Sequence, residues 1–248
     1  MIDLENVTKY YSQISAVSEL SLHIPSGQLF GFIGPNGAGK TTTIKLLSGL
    51  IKPTSGKINI CGIDIEKNPI EAKTVIGLIP DKPFIYEKLS GREFLRFVAS
   101  LHRLSEKLAS YRIEDYLKLF ELDTRAENLI ESYSQGMKQK LIIASALIHE
   151  PKVVIVDEPI VGLDPKGANI VKSLFRNLCF KGVTIFMSTH SLEVAQQLCH
   201  NLGIIHRGKL IAQGTLRELQ EKAKMAESGL ESIFLQLIEE NNDQLREI

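Results

Sequence analysis

Gly34-Pro35-Asn36-Gly37-Ala38-Gly39-Lys40-Thr41 matches the spacing GxxxxGK[ST]. Each residue type has a physical reason. Glycine lets the backbone wrap closely around a phosphate with no side chain in the way. Successive N–H groups, followed by a helix N-terminus, present fixed positive dipoles to an anion. Lys40 reaches the β- and γ-phosphates of a nucleotide, and the Thr41 hydroxyl ligates Mg²⁺. A chance match in a glycine-rich turn is the competing reading, and the flanks argue against it. Gln28 to Ile33 (QLFGFI) is a short apolar run that stops at the first glycine. A helix is expected from about Lys40, with Ile44, Leu47 and Leu50 at helical spacing and Gly49 near its end. The loop thus joins a strand to a helix, as phosphate binding requires.

Lys57 to Ile65 (KINICGIDI) alternates as one further strand. From about Leu89 to His149 the pattern turns helical. Ser90-Gly91-Arg92-Glu93 fits a capping box, and Phe94, Phe97, Val98 and Leu101 form one apolar face. A second helix carries Tyr116, Leu117, Leu119 and Phe120. A third starts at Ser134, turns Leu141, Ala144, Ser145 and Ile148 to a core, and is closed by Pro151. Val153 to Val156 is a β-branched run, the mark of a strand buried on both faces. Val183 to Met187 is another, and Ile170 to Cys179 reads as the crossover helix between them. This alternation predicts a mostly parallel sheet. Leu202 to Gln213 reads as a hairpin turning at Arg207-Gly208. The last ~35 residues read by periodicity as amphipathic helix, with Leu230, Phe234, Leu237 and Ile238 on one side.

Val156-Asp157-Glu158 places two acids at the C-terminal edge of that buried strand, where open α/β sheets bind ligands. Asp157 then holds Mg²⁺ through its water shell, and Glu158 polarises the water that attacks a γ-phosphate. Alone, the pair also fits two acids capping a strand in a solvated turn. Tyr133-Ser134-Gln135-Gly136-Met137-Lys138-Gln139 opens a helix with Ser134 as N-cap, and its open N–H groups offer a second anion site. Spacing alone does not separate this from an ordinary capped helix.

Together these segments, from about Met1 to Thr215, resemble the ABC ATPase family. Gly34 to Thr41 looks like Walker A and Val153 to Glu158 like Walker B. Ser134-Gln135-Gly136 looks like the LSGGQ signature, Gly162-Leu163-Asp164-Pro165 like the D-loop, and His190 in Ser188-Thr189-His190 like the switch histidine. Tyr11 matches the aromatic that stacks on adenine, with Tyr10 beside it as an alternative. Asp81 falls where the family usually has the Q-loop glutamine. The resemblance implies an α/β fold: a P-loop NTPase core with mostly parallel sheet, an N-terminal antiparallel β subdomain and an inserted α-helical subdomain at about 87–150. Residues 1–215 form the ATPase domain and 216–248 a C-terminal helical extension. It also implies ATP and Mg²⁺ as cofactors. Catalytic roles fall to Glu158, His190 and Lys40, and the nucleotide site takes Tyr11 and residues 34 to 42, including Thr42. Metal ligands are Thr41, Asp157 and Asp81. Ser134, Gln135 and Gly136 face the ATP of a second subunit, and Asp164 is the D-loop residue. Two such chains sandwich two ATPs head to tail as an ATP-dependent homodimer and drive a separate transmembrane permease.

Departures from the family pattern are specific. Gln135 replaces the signature's first glycine and Met137 its glutamine, changes that keep the backbone donors. Ile160-Val161 precede the D-loop where small polar residues are usual. Asp81 replaces an amide that can donate with a carboxylate that cannot. It lies between Pro80 and Pro83, so a purely structural turn is the competing reading. The signature variant and the tail Leu230-Glu231-Ser232-Ile233-Phe234-Leu235 resemble export-type cassettes more than importers.

Composition fits that reading. The 248 residues are 44% apolar, and Lys+Arg and Asp+Glu balance at 29 each. A net charge of zero provides no long-range field for nucleic acid, so no nucleic-acid partner is expected. Cys61, Cys179 and Cys199 form no CxxC pair, which points to reduced thiols in a cytoplasmic chain. Met1 to Tyr11 carries no signal-peptide pattern and no apolar run approaches the ~20 residues that span a bilayer, so if the protein works at a membrane another chain must cross it. The expected location is peripheral, on the inner face of the cell membrane. Two other functions compete. A soluble ABC ATPase outside transport usually carries two cassettes or a long coiled-coil insert, and neither is present. A non-hydrolysing regulatory subunit conflicts with Lys40, Asp157, Glu158 and His190.

Overall fold

β-branched residues at Val153, Val154, Ile155 and Val156 restrict χ1 and suit a pleated surface covered on both sides. In the computed structural model, which describes residues 1–82 and 84–246, they form strand β7 (Val153–Asp157), buried at every position. It lies next to the edge strand of a six-stranded sheet with β3 (Leu29–Ile33), β6 (Ile76–Ile79), β8 (Thr184–Thr189), β9 (Asn201–His206) and β10 (Lys209–Gly214). The order is β10-β9-β3-β8-β7-β6, parallel except for β10. A second, antiparallel sheet of order β2-β1-β4-β5 contains β1 (Ile2–Tyr11), β2 (Ile14–Ile24), β4 (Ser55–Ile60) and β5 (Ile63–Asp64).

Helices α1 (Lys40–Leu47) and α2 (Pro69–Thr74) follow the phosphate loop and β5. Between β6 and β7 the chain inserts α3 (Gly91–Leu101), α4 (Glu106–Leu119) and α5 (Gln135–Leu147). The crossover α6 (Pro165–Phe180) and the short α7 (Leu192–Leu198) flank β8, and α8 (Leu216–Lys222) and α9 (Leu230–Arg246) end the chain. One apolar core joins the inserted helices and α6 to the sheet, a second lies under the antiparallel sheet and α1, and a third lies under α7, α8 and α9.

Several sequence expectations need correction. Lys57 to Ile65 is a hairpin rather than one strand, because Cys61 and Gly62 both take positive φ (56° and 80°), the geometry of a tight turn. Helix α1 ends at Leu47, Gly49 at φ 65° follows its cap, and Leu50 is exposed beyond it. The Ser90–Glu93 capping box forms as expected, yet α3 buries Phe94, Leu95 and Ala99 while Phe97 and Leu101 face outward. The buried stripe follows i, i+1, i+5 because α4 and α5 both pack on α3 and widen its apolar face. The tail is two helices, broken where Gln220 Nε2 donates to Ser228 O at 2.9 Å just before Gly229.

The remaining histidines are structural. His102 and His149 stack with centroids 3.6 Å apart, and His149 Nε2 lies 3.0 Å from Ile76 O. Burial, then the neighbouring His102, pushes His149 down to about 4, so it is neutral at pH 7. His200 Nδ1 accepts from Leu29 N at 2.9 Å, and His23 bonds Asp3. The three cysteines are free thiols, and burial pushes Cys179 up to about 11. Among the described residues no helix is long and apolar enough to cross a membrane.

Candidate functional site

Register decides which residues meet. Ile33 lies opposite Thr189 across β3 and β8, and Asp157 lies opposite Ser188 across β7 and β8. The next residues, Gly34, Glu158 and His190, therefore leave the sheet at one C-terminal edge. Ile79 pairs with Val156, so the chain after β6 brings Asp81 to the same edge. The result is a cleft of about 540 Å³ lined by Asn36, Gly37, Gly39, Lys40, Thr41 and Thr42 on one side. Asp81, Asp157, Glu158 and His190 face them, with Ala16 and Val161 at the rim.

The phosphate loop is shaped by backbone freedom. Gly39 sits at φ 113°, and a Cβ there would come within 2.5 Å of Ala16 O. No side chain caps α1, whose first N–H groups open toward the cleft. Lys40 Nζ donates to Gly34 O at 2.7 Å and Pro35 O at 3.0 Å, which holds the ammonium inside the loop. Burial lowers its pKa, opposed by the nearby charges of Glu158 and Asp157. Gly34 and Pro35 line a neighbouring cleft rather than this one, and Ala38 is buried behind the loop.

The acids differ in setting. Asp157 is buried and accepts from the Ser188 hydroxyl. Burial raises its pKa, partly offset by that bond, while Glu158 and Asp81 raise it further. A buried carboxylate that gains little from its own protein is suited to a cation. Thr41, Asp157 and Asp81 supply oxygen donors on the same cleft, the hard donor set that Mg²⁺ prefers. Glu158 takes φ 50°, a left-handed conformation that costs about 1–2 kcal/mol for a residue with a Cβ. Its carboxylate accepts from Thr189 Oγ1 at 3.0 Å and His190 N at 2.7 Å, and lies 2.7 Å from His190 Nδ1. The strained turn and three contacts fix this acid in place, which a solvated cap would not need.

Other expected residues lie outside the cleft. Tyr11 and Tyr10 are both exposed at the end of β1; Lys9 Nζ sits 5.6 Å from the Tyr11 ring centroid, and Ala16 of β2 is the residue that lines the cleft from this sheet. Ser134 caps α5 by accepting from Met137 N at 3.3 Å, and Ser134 and Gln135 are exposed. A Cβ on Gly136 would approach Gly162 O at 3.0 Å, so the signature helix packs on the D-loop. Gln139 Nε2 donates to Pro159 O at 3.3 Å in the same contact. Asp164 caps α6 through Gly167 N at 3.2 Å. Asp81 does line the cleft and is exposed in its turn, and Pro83 lies outside the described residues. Sequence reasoning assigned no role to Ala16, Val161 or the hydroxyls of Ser188 and Thr189. The signal for the last two was there: polar residues closing an otherwise apolar strand.

Comparison with known proteins agrees with this geometry. The family described as ABC transporter matches residues 17–161. The linearmycin resistance ATP-binding protein LnrL of Bacillus subtilis (strain 168) is 36% identical over 241 residues, 95% of this chain and 78% of that protein. The bacitracin transport ATP-binding protein BcrA of Bacillus licheniformis is 40% identical over 223 residues, 90% and 72% of the two chains. A solved ATP-binding subunit of an ABC transporter superposes with a TM-score of 0.91 at 32% identity, covering 96% of this chain and 99% of its own. A dimeric ATP-binding cassette in a post-hydrolysis state with ADP and Pi bound gives 0.80 at 26% identity, covering 88% and 99%. A phosphate loop, two acids and a histidine on one sheet edge, in a chain this similar to them, place it in the ABC transporter family as an ATP-binding subunit.

Proposed function

We propose that the chain hydrolyses Mg²⁺-bound ATP and that this powers export of a substrate by a separate transmembrane permease. The observation that carries the reading is the convergence of Lys40, Asp157, Glu158 and His190 on one cleft. Residues 34 to 42 cradle the phosphates with backbone N–H groups, and Lys40 turns its ammonium from the loop carbonyls to the β- and γ-phosphates. Thr41, Asp157 and Asp81 would hold the metal, which when bound would neutralise charge on the phosphate oxygens. Glu158 accepts a proton from the attacking water, and His190 keeps that carboxylate oriented. Tyr11 stacks on the base. Residues 1–215 are the ATPase domain, with the helical insert at about 87–150, and 216–248 the C-terminal extension. The chain is peripheral on the inner face of the cell membrane. The names of its relatives, resistance and transport proteins, support export.

Phosphate release from the purified chain tests the chemistry. His190→Ala is expected to slow it about tenfold or more, since an unpositioned general base loses much of its 10²–10⁴-fold contribution. Unchanged release would remove His190 from the mechanism.

Docking to the permease follows from the segment after Asp81. Phe84 is 82% exposed and Tyr86 is 47% exposed, and Tyr86 sits edge-to-face against both Phe84 and Phe97. Ile85, by contrast, packs on the inserted helices' core. An exposed aromatic cluster is the kind of anchor that fills a partner's groove. Tyr86→Ala is expected to weaken capture of the permease about tenfold, from the ~1–2 kcal/mol of an interface aromatic, while the melting temperature moves by only a few degrees. A large melting loss with unchanged capture would make Tyr86 a packing residue instead.

A further inference from the structure

Behind the phosphate loop lies a second cleft, of about 230 Å³, that the proposed mechanism does not use. Its walls are Gly34, Pro35 and Asn36 of the loop, Thr189 and His190 of the switch segment, Leu192 of α7, and Phe234 of α9. The tail helix therefore reaches the backs of both segments that face a phosphate. Helix α9 is fastened at two points. The Leu230 N–H donates to Gln196 Oε1 of α7 at 2.8 Å, and Asn241 Oδ1 lies 2.8 Å from His206 Nδ1 at the end of β9. Between them, Leu230, Ile233 and Leu237 are buried in one core with Ala195 of α7 and with Ile33, the residue just before Gly34. Phe234 differs from these three. It is half-buried and turns to the cleft.

We infer that Phe234 is a positioning residue for the switch segment Thr189–Leu192, bounding from behind the space into which His190 would move away from Glu158. The inference rests on the proposed role of His190. Its physical content is steric. Thr189 and His190 supply the donors that orient Glu158, at 2.7 to 3.0 Å. His190 is itself 67% exposed and has open space on its rear side. The Phe234 ring forms part of the wall of that space, and it packs on the same apolar core as Leu192, the last residue of the segment, so its loss frees the segment to retreat. A misplacement near 1 Å in a catalytic group can lower a rate by as much as ~10²-fold. Nucleotide affinity is set by the loop, whose Gly39 conformation and Lys40 bonds to the Gly34 and Pro35 carbonyls are made within the loop itself.

The test is the series Phe234→Leu, Phe234→Val and Phe234→Ala, with Ile233→Ala as control, assayed well below the melting temperatures. Expected for Phe234→Ala is a kcat about tenfold lower with KM within about twofold, the signature of a lost transition-state arrangement. Leu restores most of the rate and Val falls between. Ile233→Ala, which opens the buried core and leaves the cleft wall intact, lowers the melting temperature more and kcat less. Should the alanine variant not fold, the Leu and Val pair carries the comparison. A flat series overturns the inference, as does a kcat that tracks melting temperature across all four variants. Wild-type and His190→Ala assays run beside them separate the two levels. If these behave as proposed and the Phe234 series is flat, the inference alone fails; if the wild type releases no phosphate, the proposed function fails with it.

Discussion

Glu158→Gln lowers ATP hydrolysis by about 10²–10³-fold and leaves ATP affinity near that of the wild type. The substitution removes basicity and little else. Glutamine has the shape of glutamate, so it meets the φ of 50° at similar cost. Its carbonyl oxygen still accepts from His190 N, and its amide faces the Thr189 hydroxyl, which can accept in turn. Lys40→Ala is the contrasting case. It removes the ammonium now held at 2.7 Å by Gly34 O, the charge that would neutralise phosphates. A charge-assisted hydrogen bond is worth about 1.5–3 kcal/mol, so nucleotide affinity falls about tenfold to a hundredfold and hydrolysis is abolished. Phosphate release and equilibrium binding of a fluorescent ATP analogue, measured on the same preparations, separate the two. Near-normal release from Glu158→Gln would exclude Glu158 as the base. Affinity lost equally in both variants would mean that the acid also builds the loop.

These assignments come from different depths of the sequence. The loop was legible because its pattern is local: glycines at fixed offsets, between an apolar run and a helix, carry their own geometry. Strand β7 was legible because four adjacent β-branched residues have few other places to go. That Lys40, Glu158 and His190 share a cleft was not written in any one segment; it follows from the strand order and register, which bring the ends of β3, β7 and β8 together. Only the resemblance supplied that. The hairpin at Cys61-Gly62 was hidden because KINICGIDI alternates through its own turn. The α3 face was misread because one helix packed by two others buries adjacent residues that a single stripe does not predict. Phe234 was read only as one side of an amphipathic helix. Nothing in its periodicity distinguishes a residue facing a core from one facing the back of a catalytic loop.

Assembly gives the other large effect. With ATP, Glu158→Gln is expected to shift from monomer to dimer in size-exclusion chromatography, because nucleotide that is bound and not consumed remains as interface material. Adding Ser134→Glu abolishes the shift. Ser134 and Gln135 are exposed at the N-terminus of α5, whose first turn carries no acidic residue, and in the expected sandwich that end would face the partner's triphosphate. A carboxylate there meets phosphate at about 4 Å, a repulsion of about 4 kcal/mol at an effective dielectric of 20. Occurring at both sites of a symmetric dimer, this comes to about 8 kcal/mol, the whole binding free energy of a micromolar complex. The change also removes a helix cap worth about 1 kcal/mol, since Ser134 accepts from Met137 N, and that loss must be separated from the charge. Ser134→Ala in the same Glu158→Gln background does so. It loses the cap and the hydroxyl but adds no charge, so its dimer weakens at each site by about the 1.5–3 kcal/mol of a hydrogen bond to a charged group and returns at higher ATP and protein concentration. If Ser134→Glu dimerises as readily as Ser134→Ala, phosphate does not lie at this helix end. The dimer, if it forms, would then be built on another face.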